Sequence, residues 1–143
     1  MVDIRILGPA DIATLGNVAP NVFDGAVRPE LAAEFLADSR HHLAIAVTEA
    51  GQVVGMASAV HYVHPDKPPQ LFVNEVGVSP AFHRQGIGKA LMAALLERAR
   101  ELGCTEAWVA TEPDNWAAQA LYTSSGGVKA TVPFVMFVFP VRR

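Results

Sequence analysis

The feature that most constrains this chain is Gly86-Ile87-Gly88, set where an apolar stretch stops and a long helical pattern begins. Leu71, Val73, Val76 and Val78 read as a strand that ends at Ser79-Pro80, and a short loop carrying His83 and Arg84 follows. A turn from strand into helix leaves the first N–H groups of the helix unpaired. They point into one concavity at the positive end of the helix dipole. Such a concavity suits phosphate, and here a pyrophosphate is the expected ligand. A Cβ at Gly86 or Gly88 would hold that ligand away from the backbone.

Two common phosphate loops are excluded. Lys89 follows the second glycine, but no GxxxxGK[ST] is present, and there is neither a third glycine nor an early βαβ unit. A lone GxG is most simply a tight turn. The longer run, Val78 and Pro80 followed by Arg84-Gln85-Gly86-Ile87-Gly88-Lys89-Ala90-Leu91, is more specific. It resembles the acetyl-CoA-binding signature of the GNAT superfamily of N-acetyltransferases, with the match running from His83 to Gly88. The resemblance implies cofactor contacts at His83, Arg84, Gln85, Gly86, Ile87, Gly88 and Lys89. His83 departs from the Gln or Arg usual there, at a position whose main contribution is a backbone N–H.

At 143 residues, residues 1–143 are expected to form one domain, and 51% apolar content is too high for a disordered chain. A net charge of −3 argues against nucleic-acid binding. The single Cys104 excludes an internal disulfide framework and fits a reducing cytoplasm. No signal peptide or apolar span is visible, so no membrane association is expected.

Along the chain, Val2, Ile4 and Ile6 alternate with Asp3 and Arg5 as in a half-buried strand. Helices are expected from Pro9 or Ala10 and from Pro29, joined by a loop around Asp24. Leu43–Val47 and Val53–Val63 flank a hairpin turn at Glu49–Gln52, with Gly55 marking a bulge or a close approach. HPDKPPQ is a loop, and Leu71–Val78 leads into the glycine turn with a distortion expected near Gly77. A helix over Ile87–Leu102, a strand over Cys104–Thr111 and a helix over Trp116–Ser125 follow. Val128–Val141 is expected to give two strands, and its nearly all-apolar part, Pro133–Val141, is expected to be buried in the sheet or against a partner subunit, which would make a homodimer.

A second motif supports the resemblance. Asn115, Ala118, Leu121, Tyr122 and Gly126 match Asn-x-x-Ala-x-x-Leu-Tyr-x-x-x-Gly, in the order that the superfamily has it. Alone this stretch would be an ordinary amphipathic helix. The resemblance implies a mixed α/β sheet of six to seven mostly antiparallel strands with about four helices, splayed at a parallel pair where Val76, Gly77 and Val78 meet the pantetheine. It further implies Asn115 and Ala118 beside acetyl-CoA, and Tyr122 near its sulfur as proton donor to the thiolate. Glu75 is the first candidate base for the amine, and Asp24, Glu75, Glu112 and Asp114 are candidate substrate contacts. His61 and His64 face opposite sides of a strand, His41 and His42 read as surface or boundary residues, and no metal site is expected.

The expected reaction is direct acetyl transfer to a primary amine of a small molecule. The Leu-Gly-Pro opening, Glu75, HRQGI and the acidic stretch before Ala-Leu-Tyr resemble aminoglycoside acetyltransferases of the 3-amino type. Acetylation of another small-molecule or peptide amine, or a non-catalytic acyl-CoA sensor, are the alternatives.

Overall fold

Strand β1 (Val2–Ile6) keeps the alternation that its sequence carries, with Val2, Ile4 and Ile6 half-buried and Asp3 and Arg5 in solvent. The computed structural model describes residues 1–142. Strands β2 (His41–Thr48), β3 (Val53–Tyr62), β4 (Gln70–Val78) and β5 (Ala107–Trp108) follow it in sheet order as in sequence order. The first three pairings are antiparallel, and β4 with β5 is parallel. Gly51, at φ +86, closes the β2–β3 hairpin, a conformation glycine adopts without a side-chain penalty.

The middle of the sheet is buried on both faces. From His42 to Val47 no residue of β2 is exposed, the mark of a strand covered above and below. One cover is α2 (Ile87–Glu101), which seats Ile87, Leu91, Met92, Leu95 and Ala99 on the sheet. Gly55 lies beneath it: a Cβ there would stand 3.0 Å from Ile87 and 3.2 Å from Leu91, so the helix crosses β3 at closest approach. The other face carries α1 (Pro29–Ala37), and a 3-10 helix over Pro9–Gly16 packs beside it.

Helix α3 (Trp116–Ser124) is begun by Asn115, whose Oδ1 accepts from the Ala118 N–H at 3.1 Å. At its far end Gly126 takes φ +98, its N–H bonds Thr123 O, and the Gly127 N–H bonds Tyr122 O. This pair of bonds is a Schellman cap and fixes the direction in which the chain leaves the helix.

Three expectations are corrected. The sheet has five strands among the described residues rather than six or seven. The difference is at the C-terminal end, where Val128–Val141 forms no strand and stands in solvent, because none of the described residues packs on it. The strand expected over Cys104–Thr111 shrinks to Ala107–Trp108, because only Leu71 and Phe72 of β4 stay beside it. His42 is only 6% exposed rather than a surface residue, and its Nε2 lies 2.8 Å from Nδ1 of His61 across the β2–β3 pair. Burial foremost, then the charges of His61 and Arg98, hold His42 down at about 4.

Candidate active site

Strand β4 carries the site from one end to the other. Near its middle the register with β3 slips: Ser58 faces Glu75, yet Ala59 faces Val73, so Asn74 is an extra residue. Neighbours on a regular strand point to opposite faces, whereas this bulge lets Asn74 and Glu75 line the same hollow. The hollow has a volume of about 360 Å³. Phe23, Val27, Leu31, Phe35 and Leu43 form its apolar wall, and Asp24, Arg28, Ser58, Asn74 and Glu75 supply its polar groups. Of the four expected substrate contacts, Asp24 and Glu75 meet here, while Glu112 and Asp114 do not line it.

Gly77 has a physical reason that the sequence did not disclose. A Cβ on it would run into the carbonyl oxygen of Val22, so the missing side chain seats the loop that carries Phe23 and Asp24. Beyond Phe72 and Trp108, the last residues that pair β4 with β5, the rest of β4 has no partner on the β5 side. This is the expected splay, with Val76 and Val78 on the open edge.

The glycine turn lies just past the end of β4. Arg84 at φ +62 and Gly86 at φ +77 both take left-handed backbone, and a non-glycine residue held there stores strain. Among the described residues, no backbone N–H from Arg84 to Lys89 donates to a protein acceptor, and Gly86 has open space where a Cβ would stand. These N–H groups, the α2 N-terminus, and the exposed Arg84 and Lys89 form a nest whose donors and positive charge suit an anion. His83 ties the nest to the strand, its Nε2–H donating to Val78 O at 2.8 Å. Gly88 has a packing role, since a Cβ there would sit 3.2 Å from Leu121 and push α3 off α2.

Helix α3 brings the remaining candidates to the α2 side. Ala118 and Tyr122 are half-buried. Burial first, and then the negative charge of Glu112, push the Tyr122 phenol above its usual value of 10. Tyr122 therefore keeps its proton at neutral pH. Asn115 spends its Oδ1 on the α3 cap. Sequence reasoning missed Phe23, Arg28, Ser58 and Asn74, which belong to three separate segments, the loop before α1, β3 and β4, and share no motif.

A mixed sheet splayed beyond its parallel pair, with a backbone phosphate nest at the head of the following helix, defines the class of acyl-CoA-dependent N-acetyltransferase folds. The chain belongs to the acetyltransferase (GNAT) family, whose profile matches residues 16–126. An L-2,4-diaminobutyric acid acetyltransferase of Streptomyces coelicolor is 38% identical over 80 residues, covering 55% of this chain and 47% of that protein. The [ribosomal protein bS18]-alanine N-acetyltransferase of Escherichia coli is 37% identical over 57 residues, covering 40% and 38%. The chain thus spans half or less of the length of these curated relatives. Among solved structures, an aminoglycoside acetyltransferase from an uncultured soil metagenomic sample, in complex with sisomicin, superposes with a TM-score of 0.79. It is 18% identical, with 96% and 97% of the two chains covered. The aminoglycoside N-acetyltransferase AAC(6')-Iy in complex with CoA superposes at 0.75, with 26% identity and 99% and 95% covered.

The residues present fit acetyl-CoA. The unpaired N–H groups and open Gly86 suit the pyrophosphate, and the free β4 edge suits an extended amide-bearing arm.

Proposed function

We propose that this protein transfers the acetyl group of acetyl-CoA to a primary amine of a small molecule held in the hollow beside Glu75. The observation that carries the reading is the placement of the Glu75 carboxylate in the hollow and of the unpaired N–H groups at the head of α2, on and just past one strand, β4. Bound acetyl-CoA supplies an activated thioester. The residues from Arg84 to Lys89 would hold its pyrophosphate, and a backbone N–H on the open β4 edge near Val76 would be available to polarise the thioester carbonyl. Glu75 takes a proton from the amine, directly or through water, because an ammonium has no lone pair for attack. Tyr122, kept protonated by burial and Glu112, gives its proton to the departing sulfur.

The hollow supports a particular kind of acceptor. Asp24 and Glu75 favour amines, while Arg28 in the same wall disfavours a purely polycationic ligand and favours one that also carries a carboxylate. L-2,4-diaminobutyrate has both groups, and a relative bears its name. Aminoglycosides, on which solved neighbours act, have amines without a carboxylate. Acetyl-CoA-dependent thiol release should be measured with L-2,4-diaminobutyrate, 1,3-diaminopropane, aminoglycosides, polyamines and an alanine-led peptide. The expected ranking puts diaminobutyrate above its carboxylate-free counterpart. Aminoglycosides ranking first would replace the acceptor and keep the chemistry. CoA binding with no thiol released on any amine would contradict the enzyme reading.

A further inference from the structure

We propose that the His83 imidazole is a displaceable latch on the open β4 edge: it holds the Val78 carbonyl in the free protein and yields it to the amide-bearing arm of an acyl-CoA. The latch presupposes the acyl-CoA function proposed above and adds what guards the edge before that ligand arrives.

The β3–β4 ladder decides which way the Val78 carbonyl points. Val78 stands opposite Gly55, and Val76 opposite Ala57. Just past them the Ser79 N–H donates to Val54 O at 2.8 Å. Opposed pairs in an antiparallel ladder alternate between hydrogen-bonded and non-hydrogen-bonded. With Ser79 and Val54 bonded, Val78–Gly55 and Val76–Ala57 are the non-bonded pairs. The N–H and C=O groups of Val76 and Val78 therefore turn away from β3, to the side on which β4 has no strand partner beyond Phe72. An extended arm with amide groups would pair with this row. One member of the row is already taken. His83 Nε2 lies 2.8 Å from Val78 O, and because a carbonyl only accepts, Nε2 carries the proton.

Local structure brings the ring there. Pro80–Phe82 is a single 3-10 turn, closed by Phe82 N–H to Ser79 O at 2.8 Å and His83 N–H to Pro80 O at 3.3 Å, which folds His83 back beside Val78. His83 is exposed, so its ring can swing out without opening the core. An unpaired edge is a template for stray pairing, and a side chain seated on one acceptor blunts it without closing it for good. The bond acts in the opposite sense to a ligand contact. The arm must break it before it can use Val78 O, so the bond lowers affinity for a ligand that carries the arm. A net hydrogen bond of ordinary strength corresponds to roughly a fivefold change in an equilibrium constant.

The test is titration calorimetry of wild type and His83→Ala with CoA and with adenosine 3'-phosphate 5'-diphosphate, which is CoA without its pantetheine arm. His83→Ala should bind CoA roughly fivefold tighter and the armless nucleotide unchanged. In a crystal of the wild-type CoA complex, the His83 ring should stand off Val78 O. Weaker CoA binding by His83→Ala would overturn the latch and make the ring a ligand contact. An equal change for both ligands would overturn it by moving the effect to the nest. No change for either would mean that Val78 O serves ring and arm together, which also removes the latch. Wild-type protein that binds neither ligand would overturn the acyl-CoA reading itself, and the latch with it.

Discussion

The glycine turn and the acceptor hollow share β4, yet they are built in opposite ways. The turn is local: residues Arg84 to Lys89 supply it almost entirely through backbone N–H groups, and its glycines are fixed by conformation and close approach. The hollow draws on six segments — the 3-10 helix over Pro9–Gly16, the loop after it, α1, β2, β3 and β4 — and its polarity is in side chains. A backbone site tolerates almost any neighbouring side chain but not a changed φ. A side-chain site does the reverse, so its ligand can change while the fold stays. That is why relatives of one fold carry different acceptors in their names.

Several substitutions break or sharpen this contrast. The largest effect falls on the proposed proton donor: Tyr122→Phe should lower kcat by roughly 10²–10⁴-fold with both KM values retained. Because the phenol sits above 10, the wild-type kcat should hold its plateau to that pH before falling. Rapid-quench or steady-state assays across pH check both.

Gly77→Ala comes next. The new methyl meets the Val22 carbonyl, a backbone atom that cannot swing aside, so the Phe23–Asp24 loop must move. Stability should fall by about 3 kcal/mol in urea titration, and CoA binding should survive better than acceptor binding. Equal loss of both would dissolve the division between turn and hollow.

His42, under α2 and away from both sites, gives a smaller effect on stability alone. Its folded value of about 4 lies below the usual 6.5, so its contribution is full above pH 6.5 and is lost as pH falls through 4. From this group the protein should be about 2 kcal/mol less stable at pH 5 than at pH 7. His42→Phe should flatten that slope, and denaturant midpoints at the two pH values check it. Smallest of all, Arg28→Ala should raise the KM for a carboxylate-bearing acceptor about fivefold, as befits an exposed charge.

The same contrast explains what the sequence made legible. The nest could be read because its residues are contiguous and glycine leaves a conformational signature. The α3 cap, at Asp114 or Asn115, and the helix end at Gly126-Gly127 were readable for the same reason, and Asn115 is the residue that caps. Asp24 and Glu75 could be named as acidic residues at a loop and a strand, but not Arg28 or Ser58, which only the sheet register and α1 bring beside them. The bulge at Asn74 leaves no residue-type mark, and Gly77 signalled distortion without identifying the Val22 carbonyl that requires it. The C-terminal run misled because apolar β-branched residues show that a strand must be covered, not by which chain.

The most direct test of the division is an initial-rate titration of acetyl-CoA and acceptor in Gly86→Val and Asp24→Asn. Valine at a residue held at φ +77 should raise the KM for acetyl-CoA about tenfold. It should leave the acceptor KM within about twofold, as expected of well-separated sites. Asp24→Asn should show the mirror image. If either substitution moves both constants together, the nest and the hollow are one cooperative site, and the division between backbone and side-chain halves is wrong.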